Sequence, residues 1–331
     1  MARPTLTLVV PIYNEEAVIP ELDARLRAAL AELERVIESW EVIFVDDGSK
    51  DRSLELLAGM AGLEPRFKVL SFSRNFGHQL AITAGLDRAE GEAVVVMDAD
   101  LQDPPEVVAS MIEKWRSGFD VVYGVRLKRR GETLFKRFTA ALFYRAFRSM
   151  LGGIDMPLDA GDFRLMSRPA VLALHALRER HRFVRGMVAW IGFKQTAVHY
   201  DRDARFAGDT KYPLRKMLRF ALDGITSFSI LPLRIATWLG ILSGVAAIGI
   251  GGWALYIKFF AAGVVTGWTT IMMLTAFGFS AQLLMTGILG EYLGRIYEEV
   301  KRRPLYISAK ELNFSNATDS VRPQGSLEKR D

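Results

Sequence analysis

The sequence predicts an α/β chain in two parts: a Rossmann-like layered domain at the N-terminus, then two transmembrane α-helices. Three observations carry this. Over residues 5–125, short β-rich runs alternate with helical stretches, the pattern of βαβ units around a mainly parallel sheet. Two runs without a charged side chain, 235–257 and 259–290, are separated only by Lys258, and each is long enough for a helix to cross about 30 Å of hydrocarbon. The chain has 331 residues and is 50% hydrophobic, enough for one domain of ordinary size with material to spare.

In chain order, the expected strands are 6–10, 41–45, 67–72, 93–97 and 121–124, each rich in Val, Ile, Leu or Phe. Between them, 16–38, 53–60 and 78–89 carry apolar residues at helical spacing, and Pro104 with Pro105 opens a further helix where proline is tolerated. In sheets of this kind ligands gather beyond the carboxyl ends of the strands, so the segments after each strand are where chemistry is expected. No GxGxxG follows the first strand, which argues against a dinucleotide cofactor.

Residues 131–151 mix Phe135, Phe138, Leu142, Tyr144 and Phe147 with Lys136, Arg137, Arg145 and Arg148. Such a pattern suits a helix lying on a membrane surface, or an ordinary domain helix with a solvated basic side. Lys211, Arg215, Lys216, Arg219 and Arg234 precede the first apolar run, and Arg295, Lys301, Arg302 and Arg303 follow the second. By the positive-inside rule both flanks face the cytoplasm and a short loop around 260–267 faces out. The expected division is a cytoplasmic domain over 1–228, a two-helix membrane unit over 229–294 and a cytoplasmic segment over 295–331. Residues 313–331 are polar and aperiodic, which predicts disorder. The apolar run 6–10 is short and stops at Pro11, Asn14, Glu15 and Glu16, so it does not read as a signal peptide.

Composition narrows the chemistry. With no cysteine, disulfides, thiolate metal sites and cysteine nucleophiles are excluded, and four scattered histidines argue against a histidine metal cluster. Any metal must sit on oxygen. A formal charge of +5 suits anionic partners, whether nucleic acid, membrane surface or phosphorylated small molecules.

The sharpest motif is Asp98-Ala99-Asp100-Leu101-Gln102-Asp103-Pro104-Pro105-Glu106, directly after an expected strand. Carboxylates at i and i+2 past a strand end can converge on one hard cation, Mg²⁺ or Mn²⁺, that also holds substrate phosphates. A second acidic motif, Asp46-Asp47-Gly48-Ser49 with Asp51 ending the turn, follows the second strand. Its glycine permits a tight turn and its carboxylates can accept from a base edge or ribose hydroxyls; alternatively Asp47 or Ser49 is a helix N-cap. The first strand ends in Pro11-Ile12-Tyr13-Asn14-Glu15, which brings an aromatic face and a carboxylate to the same edge.

The succession PIYNEE, VDDGSKD, SRNFGH, MDADLQDPPE, YGVRLKRR, AGDFRLMSR and GDTKYPLRK resembles the polyprenyl-phosphate glycosyltransferases, the group of dolichol-phosphate mannose synthases and bactoprenol (undecaprenyl-phosphate) glucosyltransferases. The likeness runs from Leu6 through both apolar runs, about nine tenths of the chain. It implies a GT-A fold, an inverting mechanism and a divalent metal. Carried over position by position, Pro11, Tyr13, Glu15, Asp46 and Asp98 would hold the nucleotide. Asp98, Asp100 and Gln102 would surround Mg²⁺ or Mn²⁺. Arg126, Arg202, Arg205 and Lys211 would meet phosphates, a task that suits the paired hydrogen bonds of a guanidinium. Lys128, Arg129 and Arg130 either join them or form a solvated surface. Asp162, with Asp100 and Arg126, would lie at the reacting centre, or would pair with a nearby arginine to order its loop.

The activity so implied is transfer of a hexose from a UDP-sugar to undecaprenyl phosphate at the cytoplasmic face of the inner (plasma) membrane. The GDFRL version of the Asp162 segment leans the donor toward UDP-glucose; GDP-mannose or another nucleotide sugar is the alternative. The implied partners are donor, lipid acceptor and bilayer, with no nucleic acid, and self-association is left open. A non-enzymatic scaffold is disfavoured by the intact acidic and basic motifs. A processive synthase is disfavoured by having two spans and no QxxRW-like segment.

Overall fold

The computed structural model describes residues 4–126, 160–201, 231–260 and 267–314. The expected basic-aromatic helix at 131–151 and the basic residues Lys128, Arg129, Arg130, Arg202, Arg205 and Lys211 lie outside them.

The first half follows the predicted alternation: β1 (Leu6–Ile12), α1 (Ile19–Leu33), β2 (Trp40–Asp46), α2 (Ser53–Leu63), β3 (Phe67–Phe72), α3 (His78–Arg88) and β4 (Ala93–Val96). A 3₁₀ turn (Pro105–Val107) leads into α4 (Val108–Arg116), as Pro104 and Pro105 announce, and β5 (Val121–Arg126) follows. Beyond lie β6 (Ala160–Ser167), α5 (Arg168–Ala176), α6 (Val184–Trp190) and β7 (Gln195–Tyr200). Two long helices, α7 (Leu231–Phe260) and α8 (Trp268–Val300), precede a last strand, β8 (Ser308–Leu312).

Among the described residues, eight strands form one sheet in the order β7-β5-β6-β4-β1-β2-β3-β8. Its centre, β4-β1-β2-β3, is parallel as the βαβ pattern requires. The flanks are mixed, because β6 runs antiparallel between β4 and β5 and β8 runs antiparallel beside β3. Helices cover both faces, so the central strands are apolar on both sides rather than alternating. Leu6, Leu8, Val10 and Ile12 of β1, with Val42 and Phe44 of β2, pack into the layer under α1, α2 and α4. Val9, Ile43 and Val45 point the other way, toward α3, α5 and α6. Helix α1 buries Ile19, Leu22, Leu26, Ala29, Leu30 and Leu33, one stripe at helical spacing.

Helices α7 and α8 have 30 and 33 residues and are long and apolar enough to cross a membrane. Their apolar side chains face outward rather than into a core; Trp238 is 70% exposed, Ile248 77% and Leu283 71%. Whereas the sequence places the end of the second apolar run near residue 290, α8 continues ten residues further as a charged stalk containing Glu291, Arg295, Glu298 and Glu299.

The chain then returns to the domain. Tyr306 stacks on Phe72 with ring centroids 5.1 Å apart and donates its hydroxyl to Asp87 at 3.2 Å. Burial and the Asp87 carboxylate raise the Tyr306 pKa, which keeps that donor protonated. Strand β8 covers the edge of β3, Arg88 pairs with Glu311 at 2.6 Å, and Asn313 donates to the carbonyls of Ala61 and Phe67 at 2.7 and 2.8 Å. Disorder expected from residue 313 is thus corrected for Asn313 and for Phe314, which packs against the second core layer. Side-chain hydrogen bonding and edge pairing, which hydropathy does not register, hold this segment; residues 315–331 lie outside the described part.

Candidate functional site

Strand β1 has β4 on one side and β2 on the other, so the connections leave in opposite directions there and open a crevice at the carboxyl ends. Proline stands at its lip for a reason. The Val9 carbonyl accepts the amide of Met97, so Pro11, two residues on, faces the same side, past Val96, where the β1–β4 ladder ends. The missing N–H therefore orphans no ladder partner.

The loops after β1 and β2 are sewn to each other. Ser49 Oγ accepts the Asn14 amide at 3.0 Å, Asn14 Oδ1 accepts the Lys50 amide at 2.8 Å, and Ser53 Oγ accepts the Glu15 amide at 2.9 Å. Asp51 takes the amides of Glu16 and Ser53, and Glu16 takes that of Arg52. Asn14 occupies the left-handed region, φ 54°, where its short amide side chain is tolerated. Tyr13 is left 42% exposed above the crevice.

Asp46 and Asp47 do different work. Asp46 is buried, accepting the Ser49 amide at 3.0 Å and the Ser71 hydroxyl at 2.7 Å. Asp47 does not cap α2; it takes the amides of Phe76 (2.7 Å) and Gly77 (2.9 Å) and so fixes the loop after β3. Burial raises its pKa, and those two amides only partly offset the rise. Ser49 does not cap α2 either, its hydroxyl being taken by Asn14. Gly48, at φ 68°, lets this happen: a Cβ there would lie 2.5 Å from the Arg74 carbonyl carbon and 2.7 Å from the Asn75 nitrogen.

Strand β6 supplies the remaining side. Val96 pairs with Arg164, so continuing the antiparallel register sets Asp98 opposite Asp162. His78, the first residue of α3, lies between them, with Nε2 3.4 Å from Asp98 Oδ1 and 3.5 Å from Asp162 Oδ2. Burial works to lower the His78 pKa, but the hydrogen bond to Asp162 and the two negative charges prevail and raise it.

Asp162 is buried and heavily partnered: Arg185 Nε at 3.0 Å, Arg185 Nη2 and Arg164 Nη2 at 3.3 Å, and Gln79 Nε2 at 3.4 Å. Burial alone would raise its pKa; the His78 hydrogen bond and the two guanidinium charges overcome this and hold the carboxyl well below the usual range. Arg164 is 1% exposed in mid-sheet, donates to the Gly161 carbonyl at 2.8 Å and sits over the Tyr123 ring.

Asp98 contrasts with it. Its Oδ1 is buried without a hydrogen bond, and burial, reinforced by neighbouring carboxylates, pushes its pKa up to about 6 despite the charge of His78. Such an oxygen is suited to a cation. Asp100 accepts the Gln102 amide at 3.2 Å, Leu101 between them adopts φ 58°, and Asp103 accepts the Tyr200 hydroxyl. Among the described residues no group of three or more His, Asp or Glu side chains closes around one point as a metal cage. An ion here would thus rely on two or three protein oxygens plus ligand phosphates and water, which is how Mg²⁺ is commonly held.

Of the residues singled out from sequence, Pro11 and Asp46 lie at the ends of β1 and β2, Tyr13 and Glu15 follow β1, Asp98, Asp100 and Gln102 follow β4, and Asp162 lies near the start of antiparallel β6, all at the carboxyl edge of the sheet's centre. Arg126 ends β5, but its side chain, like Arg202, Arg205 and Lys211 entirely, is outside the described residues. His78, Gln79, Arg164 and Arg185 join the site without a role assigned from sequence. His78 and Arg164 stand inside quoted motifs, whereas nothing local marks Arg185, which reaches Asp162 across 23 residues.

Residues 7–174 match the model of glycosyl transferase family 2. The chain is 51% identical to the glycosyltransferase YkcC of Bacillus subtilis (strain 168) over 94% of this chain and 95% of that one. It is 40% identical to the prophage bactoprenol glucosyl transferase homolog of Escherichia coli (strain K12), over 91% and 97%. To the bactoprenol glucosyl transferase of Shigella phage SfII it is again 40% identical, over 92% and 97%. With its GT-A-type sheet, its acidic crevice and this degree of likeness along nearly its whole length, the chain belongs to glycosyltransferase family 2.

Proposed function

We propose that this enzyme transfers a hexose, glucose from UDP-glucose, to undecaprenyl phosphate at the cytoplasmic face of the membrane, with inversion at the anomeric carbon. The observation that carries the reading is the pairing of an acidic crevice at the carboxyl edge of the sheet with two outward-facing apolar helices in one chain. An ordinary soluble acceptor gives no reason for such helices. A polyprenyl tail does, since withdrawing it from the bilayer costs about 0.8 kcal/mol per CH₂. Relatives named bactoprenol glucosyl transferases, 40% identical over nine tenths of the chain, support both the glucose and the lipid.

In this reading Tyr13, Glu15 and Asp46 receive the nucleoside, and Asp98, Asp100 and Gln102 hold Mg²⁺ or Mn²⁺. The buried Asp98 Oδ1, which has no hydrogen bond among the described residues and lies 3.4 Å from His78 Nε2, supports that assignment. A bound divalent ion would supply Lewis-acid neutralisation of the departing diphosphate. Arg126, Arg202, Arg205 and Lys211 meet the phosphates of donor and acceptor. A phosphate oxygen of the lipid bonds to the anomeric carbon as the bond to UDP breaks on the opposite face. Being a monoester with a second pKa near 6, the acceptor is largely dianionic at neutral pH and needs no strong base. Asp162, fixed as an anion by Arg164, Arg185 and His78, then serves to position charge at the reacting centre rather than to take a proton.

The division into a domain over 1–228, membrane helices over 229–294 and a returning segment over 295–331 belongs to the same proposal. Strand β8 supports it: a chain that leaves the domain, passes through two helices and rejoins the same sheet enters and exits on one face. With basic residues flanking both helices, that face is the cytoplasmic one.

Purified protein offered labelled UDP-glucose, UDP-galactose and GDP-mannose, each with and without undecaprenyl phosphate, tests the reading. Label should enter the butanol phase from UDP-glucose and only with the lipid; transfer from GDP-mannose alone would overturn the donor, and transfer without added lipid the acceptor.

A further inference from the structure

The last turn of α8 grips the segment that aims Arg185. Glu299 Oε1 accepts the backbone amide of Arg180 at 2.6 Å, His181 Nε2 lies 2.9 Å from Glu298 Oε2, and Arg180 Nη1 reaches the Arg303 carbonyl at 3.4 Å. Four residues after Arg180, the Val184 amide donates to Gln79 Oε1 at 3.0 Å. The next side chain, Arg185, makes the two-point contact with Asp162. Gln79 itself donates to Asp162 at 3.4 Å, so two of the supports of that carboxylate, Gln79 and Arg185, depend on where residues 180–184 run. Arg182 braces the inner side of the turn on the carbonyl of Leu177.

We propose that Glu299, assisted by Glu298, is a positioning residue for the transfer reaction: from the end of a membrane helix it fixes the main chain at Arg180 and thereby keeps Arg185 on Asp162. This rests on the transferase reading above. The contact is poorly suited to a mainly stabilising role. Glu298 and Arg180 are 47% and 31% exposed, and exposed ion pairs contribute little to global stability. Glu299, however, takes a main-chain donor, and a carboxylate held on a backbone N–H fixes a loop more firmly than a pair of flexible side chains does. The path from Arg180 to the reacting centre is six residues long, and small misplacements there are costly.

Full-length protein in nanodiscs, carrying E299A, E299Q, R185A or E299A together with R185A, tests the link by two independent readouts. Turnover should fall about tenfold or more in E299A with donor KM unchanged. E299Q, whose amide oxygen still accepts from Arg180, should stay near wild type, and the double variant should be no slower than R185A alone. Amide hydrogen exchange over 180–186, read without substrate, should quicken in E299A and return to the wild-type rate in E299Q. Unchanged exchange in E299A, or losses that multiply in the double variant, would overturn the proposal. If wild-type protein moved no sugar from any donor, the transferase reading would fail while the exchange arm still decided whether Glu299 holds this segment.

Discussion

Arg185 approaches Asp162 at two points, Nε to Oδ1 at 3.0 Å and Nη2 to Oδ2 at 3.3 Å, and joins a helix N-terminus to a strand 23 residues away. The geometry uses the planar fork that distinguishes arginine from lysine. R185A should lower kcat about a hundredfold, as loss of an oriented charge at a reacting centre does, and R185K should restore only a minor part. Wild-type turnover in R185A would remove Asp162 and its partner from the machinery.

Asp162 is held well below the usual carboxylate range, so it stays ionised throughout the working pH range. D162N should therefore reduce kcat by one constant factor from about pH 6.5 to about pH 9, a window above the acceptor's second pKa. Recovery toward wild type at high pH would mean that the side chain takes a proton from monoanionic phosphate.

Asp98 behaves oppositely. Its folded pKa of about 6 lies above the unfolded value near 3.9, so the folded state binds the proton more tightly and loses stability as pH rises through that interval. In EDTA, D98N should raise Tm at pH 7 to 8 and leave it unchanged below about pH 4. Adding Mn²⁺ should raise Tm in the wild type and not in D98N. Equal Mn²⁺ shifts in both would detach Asp98 from the metal. D100N should retain the fold and lose most transfer activity even at saturating Mn²⁺.

Gly48 combines φ 68° with main-chain atoms of the Arg74–Asn75 peptide where a Cβ would stand. G48A should cost at least the 1–3 kcal/mol typical of a forced left-handed residue. It should also loosen the Asp47 contacts to Phe76 and Gly77. Thermal unfolding checks the first effect, and amide exchange at Gly77 the second.

Much of this was legible in the sequence because the central strands are buried on both faces and written as unbroken apolar runs, with Pro11, Asp46 and Asp98 at or just beyond their ends. The acidic motifs announced the crevice in the same way. What stayed hidden depends on long-range pairing. Strand β6 enters the sheet between β4 and β5, and only that register sets Asp162 against Asp98. Strand β8, the sequence SAKEL, is polar because it covers an edge, so hydropathy gave no sign that residues beyond α8 rejoin the domain. Arg185 lies on a seven-residue helix with no motif around it, and its role follows solely from what it touches.

The chain has no cysteine, so single cysteines report topology without background. One at Thr266 should react with an impermeant maleimide added outside intact cells, and one at Ser315 only after the membrane is opened. The reverse pattern would contradict a cytoplasmic domain.

In the proposed reaction the lipid phosphate itself is the nucleophile. The direct measurement is mass spectrometry with phosphorus and proton NMR on the lipid recovered after incubation with UDP-glucose and undecaprenyl phosphate. A lipid-phosphate nucleophile predicts undecaprenyl phosphate heavier by one hexose, its monoester converted to a phosphodiester, and the anomeric configuration inverted to β. A retained α configuration, or a hexose attached anywhere other than the phosphate oxygen, would contradict it.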